Sequence, residues 1–490
     1  MGFLFIGVPL VLASLMPLIG KLSKRFLPDL LTNLALLFLL VISLVLGIRS
    51  GAGIEHLTWL GQPINIVLAL DGFSLFMLFT ISLVSLCVCL FSIDYMEQYG
   101  AKANYHALLL IMIAGMNGLV LAADVFSIYL FLEVAAVASY GLVAFGLGHD
   151  ELEASFKYLM LSAVASGFIL LSVALLFGLT GCLDLDGISA GLKTLSNKTA
   201  VGFCSALFFM GFGLKAAIVP FHAWLPDAHP SAPAPISAML SGLLIKVSGI
   251  YAMTRIFFNV FGMNPALSTV LLFLGVISIV VGALLALRQD DIKRMLAYSS
   301  ISQIGYILLG IGLGTPLALI GALFHIFNHA VAKALLFLIS GSLERATGTR
   351  SLEKMGGLAR RMPITAASSV VGSLAITGVP PLNGFWSKLI IIVALVDAGK
   401  YGFALIAILA SVMTLWYYLL IQRRTFFGKL NEIWKDVKEA PFWMTASTLL
   451  LGIVCIVAGI LFPVIIKTWL KPAADILSAG FTHAVAMNLF

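Results

Sequence analysis

The sequence predicts an all-α, polytopic membrane protein of about fourteen transmembrane helices, and two observations carry that reading. Of 490 residues, 61% are apolar and only 10% charged, against roughly a quarter charged in a soluble domain. The apolar residues also fall in continuous runs close to the ~20 residues a helix needs to cross a hydrocarbon core of ~30 Å. A soluble fold is excluded, because a single core stops growing near ~250–300 residues and this much apolar surface needs a bilayer around it. A transmembrane β-barrel would read as alternating segments of about ten residues, so strands are not expected.

In order, the runs lie at about 2–20, 30–48, 72–93, 105–123, 124–147, 154–180, 200–220, 234–258, 266–287, 292–313, 316–343, 364–398, 402–424 and 442–466. The first lacks a basic leader and an A-x-A cleavage site, so it reads as a retained span. The fourth and fifth divide near Ala122–Asp124. Four regions follow: an N-terminal three-helix region at 1–104, five-helix repeats at 105–258 and 259–425, and a C-terminal helix with a short amphipathic tail at 426–490. The repeats are inferred from helices 7 and 12. Each is the fourth member of its group and carries a proline break and a lysine, as in transporters built from inverted halves.

Charge sets the orientation. Odd-numbered connections hold about 18 Lys and Arg, and even-numbered ones plus the C-terminal tail about 7, which places both termini on the non-cytoplasmic side of the cell (inner) membrane. The net charge of +7 is thereby a topological signal and calls for no nucleic-acid partner. Cys87, Cys89, Cys182, Cys204 and Cys455 sit in apolar runs without CxxC, iron–sulfur or c-type haem spacing. They read as packing residues, and neither a cofactor nor a metal is expected.

Four basic residues, Lys215, Lys246, Lys333 and Lys388, lie inside the hydrophobic runs. A lysine at the bilayer centre costs about 2.5–3.5 kcal/mol even on the lenient insertion scale. Glu133, within FSIYLFLEVAAVASYGL, is the one carboxylate read as deep in a span, and Lys215 is its natural partner. At about 4 Å and an effective dielectric near 20 the two would attract by roughly 4 kcal/mol. If the pair opened and closed, a proton would move on and off the amine; the plainer alternative is a static buried ion pair.

Two segments cannot be regular helices. The seventh continues through GLKAAIVPFHAWLPDAHPSAPAP, where Pro220 and four further prolines remove backbone donors, and the twelfth through ITGVPPLNGFWSKL, with Pro380, Pro381 and Gly384. Irregular backbone at membrane depth survives inside protein or beside a cavity, although a kink that only shapes packing would read the same way. On the eleventh helix His325, His329 and Lys333 recur every four residues, placing them on one face over about 12 Å. Metal binding would need the adjacent Glu of a zincin or a third ligand, and haem a facing histidine; a proton relay suits the stripe better. His222, Asp227 and His229, around the first break, are secondary candidates for guiding protons to the surface or capping the broken backbone.

The segments FHAWLPDAHPSAPAPISAMLSGLLIKVSGIY, DDIKRMLAYSSISQIGY, HIFNHAVAKALLFLISG and GVPPLNGFWSKL resemble the antiporter-like membrane subunits shared by complex I, Mrp-type sodium/proton antiporters and membrane-bound hydrogenases, over about residues 65–425. The resemblance implies fourteen helices, two inverted repeats with discontinuous fourth members, and a hydrophilic mid-membrane axis. It assigns Glu133 as the fifth-helix glutamate, Lys215 as the lysine beside the first break and Lys246 as the connecting lysine of the eighth helix. His325 or His329 then matches the eleventh-helix histidine, with Lys333 beside it, and Lys388 the exit-side lysine. A lysine at 388 counts against the complex I M type, and the short tail against the L type with its long lateral helix. PPLNGFWSKL is most similar to the Mrp D and hydrogenase types.

The expected function is therefore that of a proton-translocating subunit working with other membrane subunits in the lipid bilayer, with H+ carried and Na+ a second candidate ion. The alternatives are the N-type subunit of NADH:quinone oxidoreductase, a stand-alone secondary solute transporter, and a structural subunit. No flavin, nucleotide or metal motif gives this chain redox chemistry of its own. The loops 344–362 and 423–440 are candidate docking surfaces.

Overall fold

A computed structural model describes residues 1–49, 55–59 and 66–478, and most of them are helical. Helices α1 (Leu4–Leu22) and α2 (Phe26–Arg49) precede a hairpin of β1 (Glu55–Trp59) and β2 (Ile66–Leu70). Then come α3 (Gly72–Tyr95), α4 (Lys102–Leu121), α5 (Val125–Val143), α6 (His149–Thr180), α7 (Leu185–Thr194), α8 (Lys198–Lys215) and α9 (Leu225–Ser231). The second half holds α10 (Ala234–Val260), α11 (Pro265–Leu287), α12 (Ile292–Leu313) and α13 (Pro316–Thr347). It continues with α14 (Pro363–Thr377), α15 (Asn383–Asp397), α16 (Tyr401–Ile421), α17 (Phe442–Ile460) and a C-terminal helix α18 over 462–478. Residues 479–490 of the expected amphipathic tail lie outside the described residues.

The sequence sets many boundaries through side-chain caps. Asp71 accepts from the Ser74 amide at 2.8 Å while the Ser74 hydroxyl accepts from the Asp71 amide at 2.7 Å, a reciprocal capping box that starts α3. Asp124 accepts from the Ser127 amide at 2.6 Å to start α5, which fixes the division expected near Ala122–Asp124. Asn264, Asp291 and Thr315 cap α11, α12 and α13 in the same way.

Two elements depart from expectation. The β1–β2 hairpin, with Glu55 opposite Leu70, corrects the strand-free reading; five-residue strands leave little alternation to detect beside runs of twenty. Helix α7 is a short amphipathic helix in the connection between the sixth and seventh runs. It is capped by Asp184 and buries Leu185, Ile188 and Leu192.

Among the described residues, twelve helices are long and apolar enough to cross a bilayer, and the chain is a multi-pass membrane protein. Two further hydrophobic stretches are interrupted, α8/α9 and α14/α15. The strongest span windows of α10 and α13 are wholly buried and form the centre, whereas α1 and α2, 28% buried, lie at the rim. Close approach depends on small residues, as expected where lipid gives no hydrophobic drive between helices. A Cβ on Gly282 of α11 would lie 2.5 Å from the Ser302 amide of α12.

The connections sort to two faces. The Phe5 carbonyl accepts from Asn117, Ala123 donates to the Val67 carbonyl, Val125 to Leu183, and Asn259 to Ile476, so both termini share a face with the even connections. On the opposite face Lys157 meets Asp227, Arg294 meets Asp227, Arg350 meets Asp291 and Asp94 accepts from Trp443. These are the basic, odd-numbered connections. Arg255, which the charge count takes with the even connections although it falls at the end of the eighth run, lies within α10, where it pairs with Asp71 at 2.6 Å.

Candidate functional site

Helices α5, α6 and α8 build the first cluster. Lys215 is the last residue of α8, where the C-terminal end of the helix dipole favours a cation. Its ammonium reaches Glu133 Oε1 of α5 at 3.4 Å and donates to the Ser162 hydroxyl of α6 at 2.6 Å. Ser166, one turn further along α6, donates to Glu133, and Tyr140 donates to Ser162 at 2.6 Å. The expected pair exists, joined through two serines and a tyrosine that sequence reasoning missed. A signal was present: Ser155, Ser162 and Ser166 stand at helical spacing on α6, with buried faces.

The chain after Lys215 leaves the helix at once. Ala217 adopts a left-handed conformation, φ +55°. The Val219 amide donates to Ser278 at 3.1 Å, and the Trp224 indole to the Leu214 carbonyl at 3.0 Å. Side chains thus replace lost helical bonds around Pro220, as irregular backbone in a membrane requires. Helix α14 ends similarly at Thr377, before Pro380 and Pro381. Lys388 of α15 turns back to donate to the Thr377 carbonyl at 3.2 Å, satisfying one of the carbonyls a helix end leaves free.

The remaining candidates gather on the central helices. Lys246 sits inside a π-helical stretch of α10, Leu240–Tyr251, a widened geometry that is rare and frequent at functional sites; its ammonium donates to the Ser241 carbonyl. Lys333 of α13 donates to the Leu296 carbonyl at 2.9 Å, to Ser299, and to the Tyr418 hydroxyl at 3.0 Å. Lys246 and Lys333 lie near enough for their charges to interact, and both are felt at His329. His325 shares a hydrogen bond with Ser387 Oγ at 3.0 Å, beside Lys388, and its ring lies 5.7 Å from that of Tyr306, over which Lys388 sits at 4.7 Å.

The eleventh-helix stripe therefore brings His325 beside Lys388 and places His329 and Lys333 in the same buried region as Lys246. Neither ring nitrogen of His329 has a hydrogen-bond partner among the described residues, and His325 Nε2 and Asn328 Oδ1 are likewise open. Polar atoms buried in this way are sites that internal water satisfies. Among the described residues no direct hydrogen bond joins Lys215 to Lys246. The two clusters meet through packing, where Gly249 of the π-helical stretch lies so close to Ala216 that a Cβ would fall 2.5 Å from its backbone.

The secondary candidates separate. His229 is buried in α9 and stacks on Phe337 of α13 at 4.8 Å, within range of the charges of Lys333, Lys246 and Lys293. Asp227 lies at the surface between Lys157 at 3.4 Å and Arg294 at 3.3 Å, lining a charged vestibule of about 390 Å3. His222 occupies the non-helical turn, half-buried. Among the described residues no cluster of His, Cys, Asp and Glu could hold a metal ion.

Partners divide the buried cations into two kinds. Lys102 pairs with Asp29 at 2.7 Å, Arg255 with Asp71 at 2.6 Å and Lys293 with Glu344 at 2.8 Å. These are tight pairs at helix ends, and His106 at 2.8 Å completes the Asp29 site. Lys246, Lys333 and Lys388 have only carbonyl and hydroxyl oxygens among the described residues. Three buried ammonium groups without a counter-charge are costly to hold together in a dry interior.

Residues 122–414 match the family described as NADH:quinone oxidoreductase/Mrp antiporter, TM, and residues 59–106 match the complex I chain 5 N-terminus. This chain belongs to the NADH:quinone oxidoreductase/Mrp antiporter transmembrane family. It is 32% identical to the D-type subunit of the Na(+)/H(+) antiporter of Alkalihalophilus pseudofirmus, with 92% of this chain and 91% of the relative covered. It is 31% identical to the N-type subunit of the NADH-quinone oxidoreductase of Desulforudis audaxviator, with 93% and 95% covered. The fold superposes on a chain of the Mrp complex from Dietzia sp. with a TM-score of 0.91 at 28% identity, covering 98% of each chain. The family assignment made from the sequence motifs is therefore correct, and the matched region contains every candidate residue from Glu133 to Lys388.

Proposed function

We propose that this chain is a proton-translocating, antiporter-like subunit of a multisubunit membrane complex of the Mrp antiporter or membrane-bound hydrogenase type. In this reading the chain has fourteen spans, twelve continuous and two broken, arranged as inverted five-helix repeats at 105–258 and 259–425. The basic connections face the cytoplasm and both termini face away from it.

The observation that carries the reading is the contrast between the flank and the centre. At the flank, Lys215 has an acid at 3.4 Å, looser than the 2.6–2.8 Å of the structural pairs. At the centre, three buried lysines and two histidines share no acid among the described residues. When Glu133 closes on Lys215 the ammonium is favoured; when it opens, burial favours the neutral amine and a proton leaves. That proton passes by way of Lys246 to His329, His325 and Lys333, and is released through Lys388, with the stretch between Lys215 and Lys246 crossed by water beside the widened turn of α10. The vestibule at Asp227 and the buried His229 form the cytoplasmic approach. Energy comes from partner subunits, and Na+ is the candidate counter-ion.

The test uses the intact complex in membrane vesicles, following acidification with a pH-sensitive dye. Lys246→Met and Lys388→Met should each abolish translocation at unchanged protein abundance; wild-type rates in both variants overturn the axis. The 31% identity over 93% of the chain to an N-type subunit keeps the quinone-reductase complex as a second reading. Identifying the proteins that co-purify with the chain separates the two, and an active chain without partners would favour a stand-alone carrier.

A further inference from the structure

Helices α14 and α16 leave an apolar groove of about 510 Å3 between them, walled by Val370, Leu374, Leu415, Leu419 and the ring of Tyr418. Its mouth is set by Arg423 and Phe427. The same two residues line a second cavity of about 520 Å3, which adds Arg424 and Lys429 and contains one carboxylate, that of Glu353. Greasy cleft and basic basin therefore adjoin at Arg423 and Phe427. Arg423, Arg424 and Lys429 are all exposed. They lie at the end of α16 that carries the odd, basic connections.

We infer that this site holds one anionic phospholipid, with its phosphate in the basin of Arg423, Arg424 and Lys429 and an acyl chain along α14 and α16. Leu415 to Arg423 runs eight positions along α16 and the π-helical turn that follows it, about 12 Å of groove at the helical rise per residue, enough for the upper part of an acyl chain. Charge complementarity selects the occupant. A hydrocarbon chain gains little by leaving lipid for an apolar cleft, so the cleft alone discriminates nothing. Three cations against one acid attract an anionic headgroup over a zwitterionic one, by on the order of tenfold or more at a membrane surface. Arginine adds forked donors suited to phosphate oxygens.

The position gives the lipid a consequence, and this part rests on the proton-transfer reading above. Tyr418 lines the groove and its hydroxyl accepts from Lys333 at 3.0 Å, and the carbonyl of Thr377, also at the groove wall, accepts from Lys388 at 3.2 Å. An acyl chain there keeps water from the outer side of Tyr418 and holds α14 and α16 at a separation that keeps both lysines in place.

The experiment measures lipid first and transport second. The complex, purified and stripped of lipid with detergent, is titrated with nanodiscs of phosphatidylcholine with or without phosphatidylglycerol, and retained lipid is counted by mass spectrometry. The wild type should retain phosphatidylglycerol about tenfold over phosphatidylcholine, and R423Q/R424Q/K429Q should lose that preference. Val370→Trp, which fills the cleft and leaves the cations intact, should lower retention with the complex assembled. Equal retention of the two lipids by the wild type overturns the site. So does binding of glycerol phosphate as tight as that of the whole lipid, which would make the basin a plain anion site. Cross-linking of a cysteine at Leu419 to a partner protein in native membranes would show a protein helix in the groove and overturn it as well. Equal retention of the two lipids by a wild type that still transports protons refutes the lipid site alone; lost preference in the triple variant with unchanged transport refutes only the lipid's effect on the lysines; selective retention with no transport by the wild type refutes the proton reading alone.

Discussion

Replacing Glu133 with glutamine keeps the shape of the side chain and removes its charge. Two unit charges 3.4 Å apart, the separation from Lys215, attract by about 5 kcal/mol at an effective dielectric of ~20. The Glu133 side chain is 27% exposed, so its surroundings screen part of this; taking half leaves about 2.5 kcal/mol. At 1.36 kcal/mol per tenfold, the ratio of protonated to neutral Lys215 should fall by about 50- to 100-fold. The Ser162 hydroxyl at 2.6 Å remains to hold the amine in place, so the loss is electrostatic and the local packing survives. The assay is dye-monitored proton uptake in vesicles containing the intact complex, normalised to protein abundance. Translocation should drop, by at most that factor, in Glu133→Gln and recover in part in Glu133→Asp. Wild-type rates for Glu133→Gln at equal abundance would refute the argument, because an uncharged partner would then serve as well as the acid.

Three further outcomes follow from particular contacts. Tyr418→Phe removes the hydroxyl that accepts from Lys333 at 3.0 Å; at about 1–2 kcal/mol for a lost hydrogen bond to a charge, vesicle translocation should slow about 5- to 30-fold with normal assembly. Asp29→Asn leaves Lys102 without its carboxylate at 2.7 Å; breaking such a pair costs about 3–5 kcal/mol, so thermal stability and abundance should fall while transport per assembled molecule stays constant. Gly249→Ala drives a methyl to 2.5 Å from Ala216; overpacking of about 1–3 kcal/mol should displace the end of α8 and lower transport more than Asp29→Asn does at equal abundance.

The sequence made much of the machine visible. Hydrophobic runs as long as a bilayer is thick located the twelve helices long enough to span, and prolines such as Pro220 and Pro381, which cannot be hidden in a helix, located the two interrupted stretches. The charged residues that matter were also legible, since Lys215, Lys246, Lys333 and Lys388 stand out in apolar surroundings where a charge is costly. Contacts between distant helices were not. Ser162 and Ser166 are ordinary helix residues in sequence and become part of the site only because α6 packs beside α5 and α8. The π-helical widening around Lys246 left no periodic mark of its own. The β1–β2 hairpin was too short to register.

Arg255 shows the division most clearly. Its charge was plain in the sequence, yet proximity to a run's end placed it in a loop, whereas folding buried it against Asp71. By itself the sequence determined which segments enter the membrane and which side chains are too polar to be there idly, because transfer from water to lipid depends on local composition. Only the tertiary structure decided which of those charges are tied to an acid and which are met by carbonyl and hydroxyl oxygens alone, because that depends on what neighbouring helices bring to within a few ångströms.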